Sequence, residues 1–190
     1  MIPAIAALIL AAGAATRMGR LKQILPYRGT TFLQHAIKQA TDAGLSPIVV
    51  VVGAHAGLVT GCIGSANVRT VYNEQWESGM GSSIAAGIRH LEGADVAAIA
   101  ILLPDQPLVT ADHLRAMAAL LESSNIVAAE YGGTLGVPAF FRRGLFPALA
   151  SRPPEAGARH LLRNSPDVCP YRLPEAAIDI DTPEDLARIK

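Results

Sequence analysis

Ile5-Ala6-Ala7-Leu8-Ile9-Leu10-Ala11-Ala12-Gly13-Ala14-Ala15-Thr16-Arg17-Met18-Gly19-Arg20-Leu21-Lys22 opens as an unbroken apolar run, breaks at small residues and then carries cations, Arg17 and Lys22 among them. A strand buried on both faces reads as such a run, because neither face has to meet water. The small residues behind it let a backbone approach a ligand closely. Main-chain N–H groups in such a turn, together with Arg and Lys, suit the oxygens of a triphosphate. An ordinary strand followed by a loop of solvated basic residues is the plain alternative at this point.

The same alternation continues downstream. Phe32, Leu33, Ala36, Ile37 and Ala40 recur at helical spacing and Gly44 supplies a stop, followed by an apolar β-branched run over 47–53. Strand, helix, strand in that order implies a parallel crossover. Val68 to Tyr72 and Ile126 to Glu130 read as further strands, and Val96 to Leu103 as the central one. The stretch from Tyr131 to Phe141 makes a glycine turn and an apolar return, expected to run antiparallel to its neighbour. Thr110 is placed to cap a helix whose Leu114, Met117, Leu120 and Leu121 face inward. The expected architecture is therefore α/β, a single domain over 1–190 with three α/β/α layers around a mostly parallel, Rossmann-like sheet bearing one antiparallel strand.

Composition narrows the function classes. With 190 residues, 51% hydrophobic and 17% charged, the chain describes one folded domain and not a disordered one. Its formal net charge is zero, so long-range attraction to nucleic acid or to an anionic membrane is unsupported and a phosphate ligand has to be held by local groups. Cys62 and Cys169 lie far apart without a zinc-type partner beside either. The first apolar run has no basic residues ahead of it and is too short to cross a bilayer, which points to a core strand in a cytoplasmic protein.

Two more segments carry candidate chemistry. Gly79-Met80-Gly81-Ser82-Ser83 leads into the helical pattern Ile84 to Leu91; serines at a helix start cap free N–H groups, and the dipole there favours an anion or a polar ligand edge. Pro104-Asp105-Gln106-Pro107 comes straight off the presumed central strand. Ligands of open α/β sheets collect outside the carboxyl ends of strands, where an Asp can hold Mg²⁺ against a triphosphate. A loop Asp capping a turn between two prolines is the alternative.

Leu-Ala-Ala-Gly-x-x-x-Arg-Met-Gly-x-x-Lys, here Leu10 to Lys22, resembles the opening signature of the nucleotidyltransferases that include molybdenum cofactor cytidylyltransferase and guanylyltransferase. Gly79 to Ile84 is similar to the family's Gly-Met-Ser/Gly-x-Ser-Leu segment beside the nucleotide base and ribose, and Asp105-Gln106-Pro107 to its Asp-Gln-Pro, though Pro104 stands where Gly or Ala is common. The resemblance runs in motif order through nearly the whole chain. It implies a nucleotide-diphospho-sugar-transferase-like fold and nucleotide contacts at Leu10, Ala11, Ala12, Gly13, Arg17, Lys22, Gly79, Ser82, Ser83 and Asp105. Arg17 and Lys22 take the catalytic role on this basis. Asp105 and Asp181 become the metal carboxylates, with Asp179 as the alternative, since Asp179 and Asp181 alternate in an extended segment and face opposite ways.

On the acceptor side the resemblance implies Tyr131, Gly136 and Arg159, with packing the other reading for the first two. Two departures stand out: Ala15 replaces a usual Ser, and Pro154-Glu155-Ala156 precede Gly157-Ala158-Arg159 where the family carries Gly-Asp and often a further cation. The implied activity is Mg²⁺-dependent transfer of CMP from CTP to the phosphate of a phosphorylated pterin, molybdopterin, with release of pyrophosphate. A molybdoenzyme or its chaperone is the implied downstream partner, with no nucleic acid and no membrane. Within the family the Leu-Ala-Ala-Gly form goes with cytidylyl and Leu-Ala-Gly-Gly with guanylyl, so Ala12 is the discriminating position. Guanylyl transfer to the same cofactor, cytidylyl transfer to a sugar or polyol phosphate, and a non-catalytic nucleotide-binding protein are the alternatives.

Overall fold

The apolar run that opens the chain forms β1 (Ile5–Ala11), whose residues from Ala6 onward are all buried. In this computed structural model the described residues are 4–14, 21–64, 67–151, 153, 157–165 and 167–178. After β1 come a 3-10 turn over Lys22–Ile24 and a small antiparallel ribbon, β2 (Pro26–Tyr27) with β3 (Thr30–Thr31). Helix α1 (Phe32–Asp42) starts on a capping box in which the Thr31 hydroxyl accepts from the Gln34 N–H and the Gln34 side chain accepts from the Thr31 N–H. Gly44, at φ +79°, follows as its stop.

The chain continues through β4 (Ile48–Val52), α2 (Ala56–Gly61), β5 (Arg69–Tyr72), α3 (Met80–Leu91), β6 (Ala98–Leu102) and α4 (Ala111–Leu120). Thr110 caps α4 as its sequence position suggests, accepting from the His113 N–H. Then come β7 (Ile126–Tyr131), β8 (Thr134–Arg142), α5 (Phe146–Ala150), α6 (Arg159–Asn164) and β9 (Val168–Arg172). α2, α5, α6 and β9 are additions to the elements legible in sequence. Each is short, and all four residues of β9 other than its prolyl centre are half-exposed or exposed, so no strong period marks it.

Apart from the β2–β3 ribbon, the described strands form one seven-stranded sheet in the order β5-β4-β1-β6-β8-β7-β9. β1 pairs in parallel with β4 on one edge and β6 on the other, while β8 runs antiparallel to both β6 and β7. This is the mostly parallel α/β sheet with one antiparallel strand that the sequence predicts. Alternate residues of each strand feed two separate cores. Ala7, Ile9 and Ala11 join Val50, Ala100 and Phe140 beneath α1 and α4, whereas Ala6, Leu8 and Leu10 join Val51, Ile99 and Phe141 beneath α3 and α5. Among the described residues no helix is long and apolar enough to cross a membrane.

Helix α3 approaches β1 closely enough that only glycine fits at Gly87. A Cβ there would lie 2.1 Å from one methyl of Leu8, a side chain with no solvent exposure in a closely packed core. Gly87→Ala is expected to destabilise the protein: overpacking of about 1–3 kcal/mol exceeds the roughly 1 kcal/mol that Ala gains over Gly in a helix interior. A urea midpoint equal to or above that of the parent would show that the Leu8 contact yields.

Candidate active site

The sheet order reverses at β1: the chain builds outward through β4 and β5 on one side, then returns to lay down β6 on the other. Loops leaving the carboxyl ends of β1 and β6 therefore diverge and leave a crevice between them. A cavity of about 490 Å³ occupies that crevice, with Gly13 and Lys22 from the β1 side, Asp105 from the β6 side, and Trp76, Met80 and Ser83 from the loop and helix after β5. Its size suits a nucleotide-sized ligand.

Lys22 and Asp105 face one another across the crevice, Nζ lying 3.9 Å from Oδ2, with side chains 16% and 27% exposed. That separation exceeds a hydrogen bond, so the two charges attract without being locked together. Buried amides fix both. Gln23, next to Lys22, donates through Nε2 to the carbonyls of Ala11 (3.3 Å) and Gly13 (3.1 Å), tying the 3-10 turn to the end of β1. Gln106, next to Asp105, donates through Nε2 to Val137 O (3.0 Å) and Ala176 O (2.8 Å), tying the β6 loop to β8 and to the 3-10 turn over Pro174–Ala177. The amide oxygens could not face these carbonyls without repulsion, so the network sets their orientation.

The β6 loop is held from the opposite side by His35 of α1, whose Nε2 lies 3.0 Å from Pro107 O and therefore carries the proton. His35 also packs edge-on against the Tyr27 ring, with centroids 4.9 Å apart. Burial pushes its pKa below the ordinary histidine value, outweighing the opposing effect of the Pro107 bond, and nearby Arg28 and Lys38 push the same way. Burial therefore favours the neutral imidazole, which still donates to Pro107 O through Nε2.

The wall formed by the loop after β5 is organised by Asn73. Its buried Nδ2 donates to the hydroxyls of Ser82 (2.8 Å) and Ser83 (3.0 Å), and its Oδ1 accepts from the Gln75 N–H (3.0 Å). The Ser82 hydroxyl points its own hydrogen at Gln75 O or Gly79 O. The alternative reading of these serines as plain caps of α3 does not hold: Gly79, at φ +121°, is the N-cap residue and makes no side-chain cap bond. Ser83 reaches the cavity lining; Ser82, 5% exposed, is turned to the loop and does not.

Of the remaining residues singled out in sequence, Leu10, Ala12, Gly13 and Gly79 line the cavity, while Ala11 sits behind it as a carbonyl acceptor for Gln23. Tyr131 and Gly136 lie outside the lining. The Tyr131 hydroxyl donates to Val137 O (3.1 Å), and a Cβ on Gly136 would fall 2.3 Å from that hydroxyl, so the pair packs β7 against β8. Arg159 begins α6, with only its backbone described. Ala15, Arg17, Ala156, Asp179 and Asp181 lie outside the described residues. Sequence reading missed Gln23, Gln106 and Asn73. A buried amide has no periodic signature, and only the adjacency of each glutamine to a charged candidate could have drawn notice.

Comparison with known proteins follows the same geometry. A family model described as the MobA-like NTP transferase domain matches residues 7–168. Nicotine blue oxidoreductase of Paenarthrobacter nicotinovorans is 34% identical, with 99% of this chain and 97% of the relative covered. Purine catabolism protein PucB of Bacillus subtilis (strain 168) is 31% identical over the same shares. Rv0371c from Mycobacterium tuberculosis H37Rv superposes with a TM-score of 0.83 at 26% identity, covering 100% of this chain and 98% of that one, and its manganese complex superposes at 0.81. The matched span runs from within β1 to the first residue of β9 and takes in both rims of the crevice, and the chain belongs to the MobA-like NTP transferase family of nucleotidyltransferases.

Proposed function

We propose that this nucleotidyltransferase moves CMP from CTP to the phosphate of a molybdopterin-type cofactor and releases pyrophosphate. The observation that carries the reading is the Lys22–Asp105 pair, 3.9 Å apart over a nucleotide-sized cavity at the reversal of the sheet. An oxygen of the acceptor phosphate attacks the α-phosphorus of CTP; the bond from that phosphorus to the oxygen bridging it to the β-phosphorus breaks. Pyrophosphate leaves with the bridging oxygen, and a phosphoanhydride joins CMP to the acceptor. No protein nucleophile is required. The chain contributes alignment and charge: Lys22 lies beside the small-residue turn at Gly13 where it can neutralise negative charge on the triphosphate, with Arg17 as its partner cation.

Asp105 suits a divalent cation that arrives with the phosphates. Among the described residues no three His, Cys, Asp or Glu side chains cluster as a metal cage. Mg²⁺ typically needs only one or two carboxylates when substrate oxygens complete its shell. Asp105, with Asp181 as second carboxylate, would hold it, and the bound cation would supply charge neutralisation for the leaving pyrophosphate. Manganese in the Rv0371c complex supports a divalent ion for this relative's fold. CTP is preferred over GTP because Ala12 gives the Leu-Ala-Ala-Gly form and lines the cavity.

The name of the Paenarthrobacter relative raises a redox reading, but the turn after β1 lacks the Gly-x-Gly-x-x-Gly fingerprint of a dinucleotide site. Pyrophosphate release with CTP, GTP, ATP and UTP, each with molybdopterin and Mg²⁺, tests the proposal: release is expected with CTP. CTP binding without release for this or for a sugar or polyol phosphate acceptor would make the chain a non-catalytic binder. Lys22→Ala is expected to cut turnover on the order of 100-fold; turnover within about twofold of the parent removes Lys22 from the mechanism. Asp105→Asn should abolish Mg²⁺-dependent turnover while the thermal transition persists, and an unchanged magnesium dependence would exclude Asp105 as a ligand.

A further inference from the structure

The chain holds a single tryptophan, Trp76, and the fold brings it to the lining of the cavity that Lys22 and Asp105 also line. It sits in a 3-10 turn over Trp76–Ser78, half-buried against the core beneath α3. Two features seat it. Gly53, directly after β4, has no side chain to collide with it: a Cβ there would lie 2.5 Å from the Trp76 Cβ and 2.9 Å from Ala12 O. Asn73 clasps the loop from behind through Gln75, Ser82 and Ser83. An amphipathic aromatic held this firmly, yet left with part of its surface toward a cavity, resembles a recognition element more than core filler.

Position decides what it recognises. Lys22 and Asp105 mark the β1–β6 seam, where the triphosphate would lie. Trp76 stands on the other flank, beside Gly53 and Ala12 at the ends of β4 and β1, with the apolar side chains of Leu10 and Met80 in the same lining. A nucleotide whose phosphates occupy the seam extends its base toward that flank. We infer that Trp76 is a substrate-binding residue of the site, its indole forming the stacking wall of the nucleobase subsite. The inference rests on the nucleotide reading above and adds the residue that contacts the base.

Because Trp76 is the sole tryptophan, intrinsic fluorescence of the unaltered protein reports on it alone. CTP with Mg²⁺ is expected to quench the emission with the same midpoint as calorimetric binding, and inorganic tripolyphosphate with Mg²⁺ to bind without quenching. Trp76→Ala should weaken CTP roughly tenfold, Trp76→Phe by no more than about threefold, and neither should alter tripolyphosphate affinity. CTP binding by calorimetry with unchanged emission overturns the inference and leaves the nucleotide reading standing. Equal weakening of CTP and tripolyphosphate by Trp76→Ala assigns the residue to loop packing and also overturns it. Failure of every nucleoside triphosphate to bind the parent overturns both. Should Trp76→Ala fail to fold, the emission of the parent decides.

Discussion

The two-sided burial of β1 is the constraint on which everything else depends. This strand exchanges hydrogen bonds with β4 along one edge and β6 along the other, and alternate side chains disappear into separate cores above and below. A shift of one residue would send Leu8 and Leu10 to the face of α1 and Ile9 to the face of α3, against the bare α-carbon of Gly87. Register is thus overdetermined, and with it the point at which the chain leaves the sheet. The small-residue turn emerges there because the strand cannot end elsewhere.

Carboxamides then convert a crevice into a shaped site. Gln23 anchors the turn that bears Lys22, Gln106 anchors the loop that bears Asp105, and Asn73 anchors the loop that bears Trp76. All three are buried, and each satisfies main-chain groups that irregular backbone would otherwise leave without partners. A carboxamide suits this work because it stays neutral across the physiological range and does not disturb the charge balance between the lysine and the aspartate beside it. His35, kept neutral by burial, serves the β6 loop in the same way from the α1 side.

Much of the frame was legible in sequence because it obeys simple periodicities. Continuous apolar runs gave β1, β4 and β6; the helical spacing from Phe32 to Ala40 announced α1 and Thr110 announced α4; the glycine turn at Gly132 and Gly133 announced the antiparallel return of β8. β9 escaped because its exposed edge position and Pro170 blur any alternation, and α2 and α6 because six residues carry too little pattern. At the site, the family resemblance implied that Lys22 and Asp105 serve one nucleotide, and the fold brings the two charges to 3.9 Å. The bond from Tyr131 to the Val137 carbonyl fits the packing reading of that residue, whereas the hold of Asn73 on Ser82 was not legible, since it depends on a partner that only the folded chain brings near.

The bond from Gln106 to Ala176 spans seventy positions of sequence. A nascent chain that has already laid down β1, β4 and β6 possesses the floor of the crevice while both acceptors of the Gln106 amide, Val137 O and Ala176 O, are still to come. The acidic rim thus settles only after Ala176 has emerged from the ribosome. Synthesis order itself then withholds a finished pocket from any fragment released early.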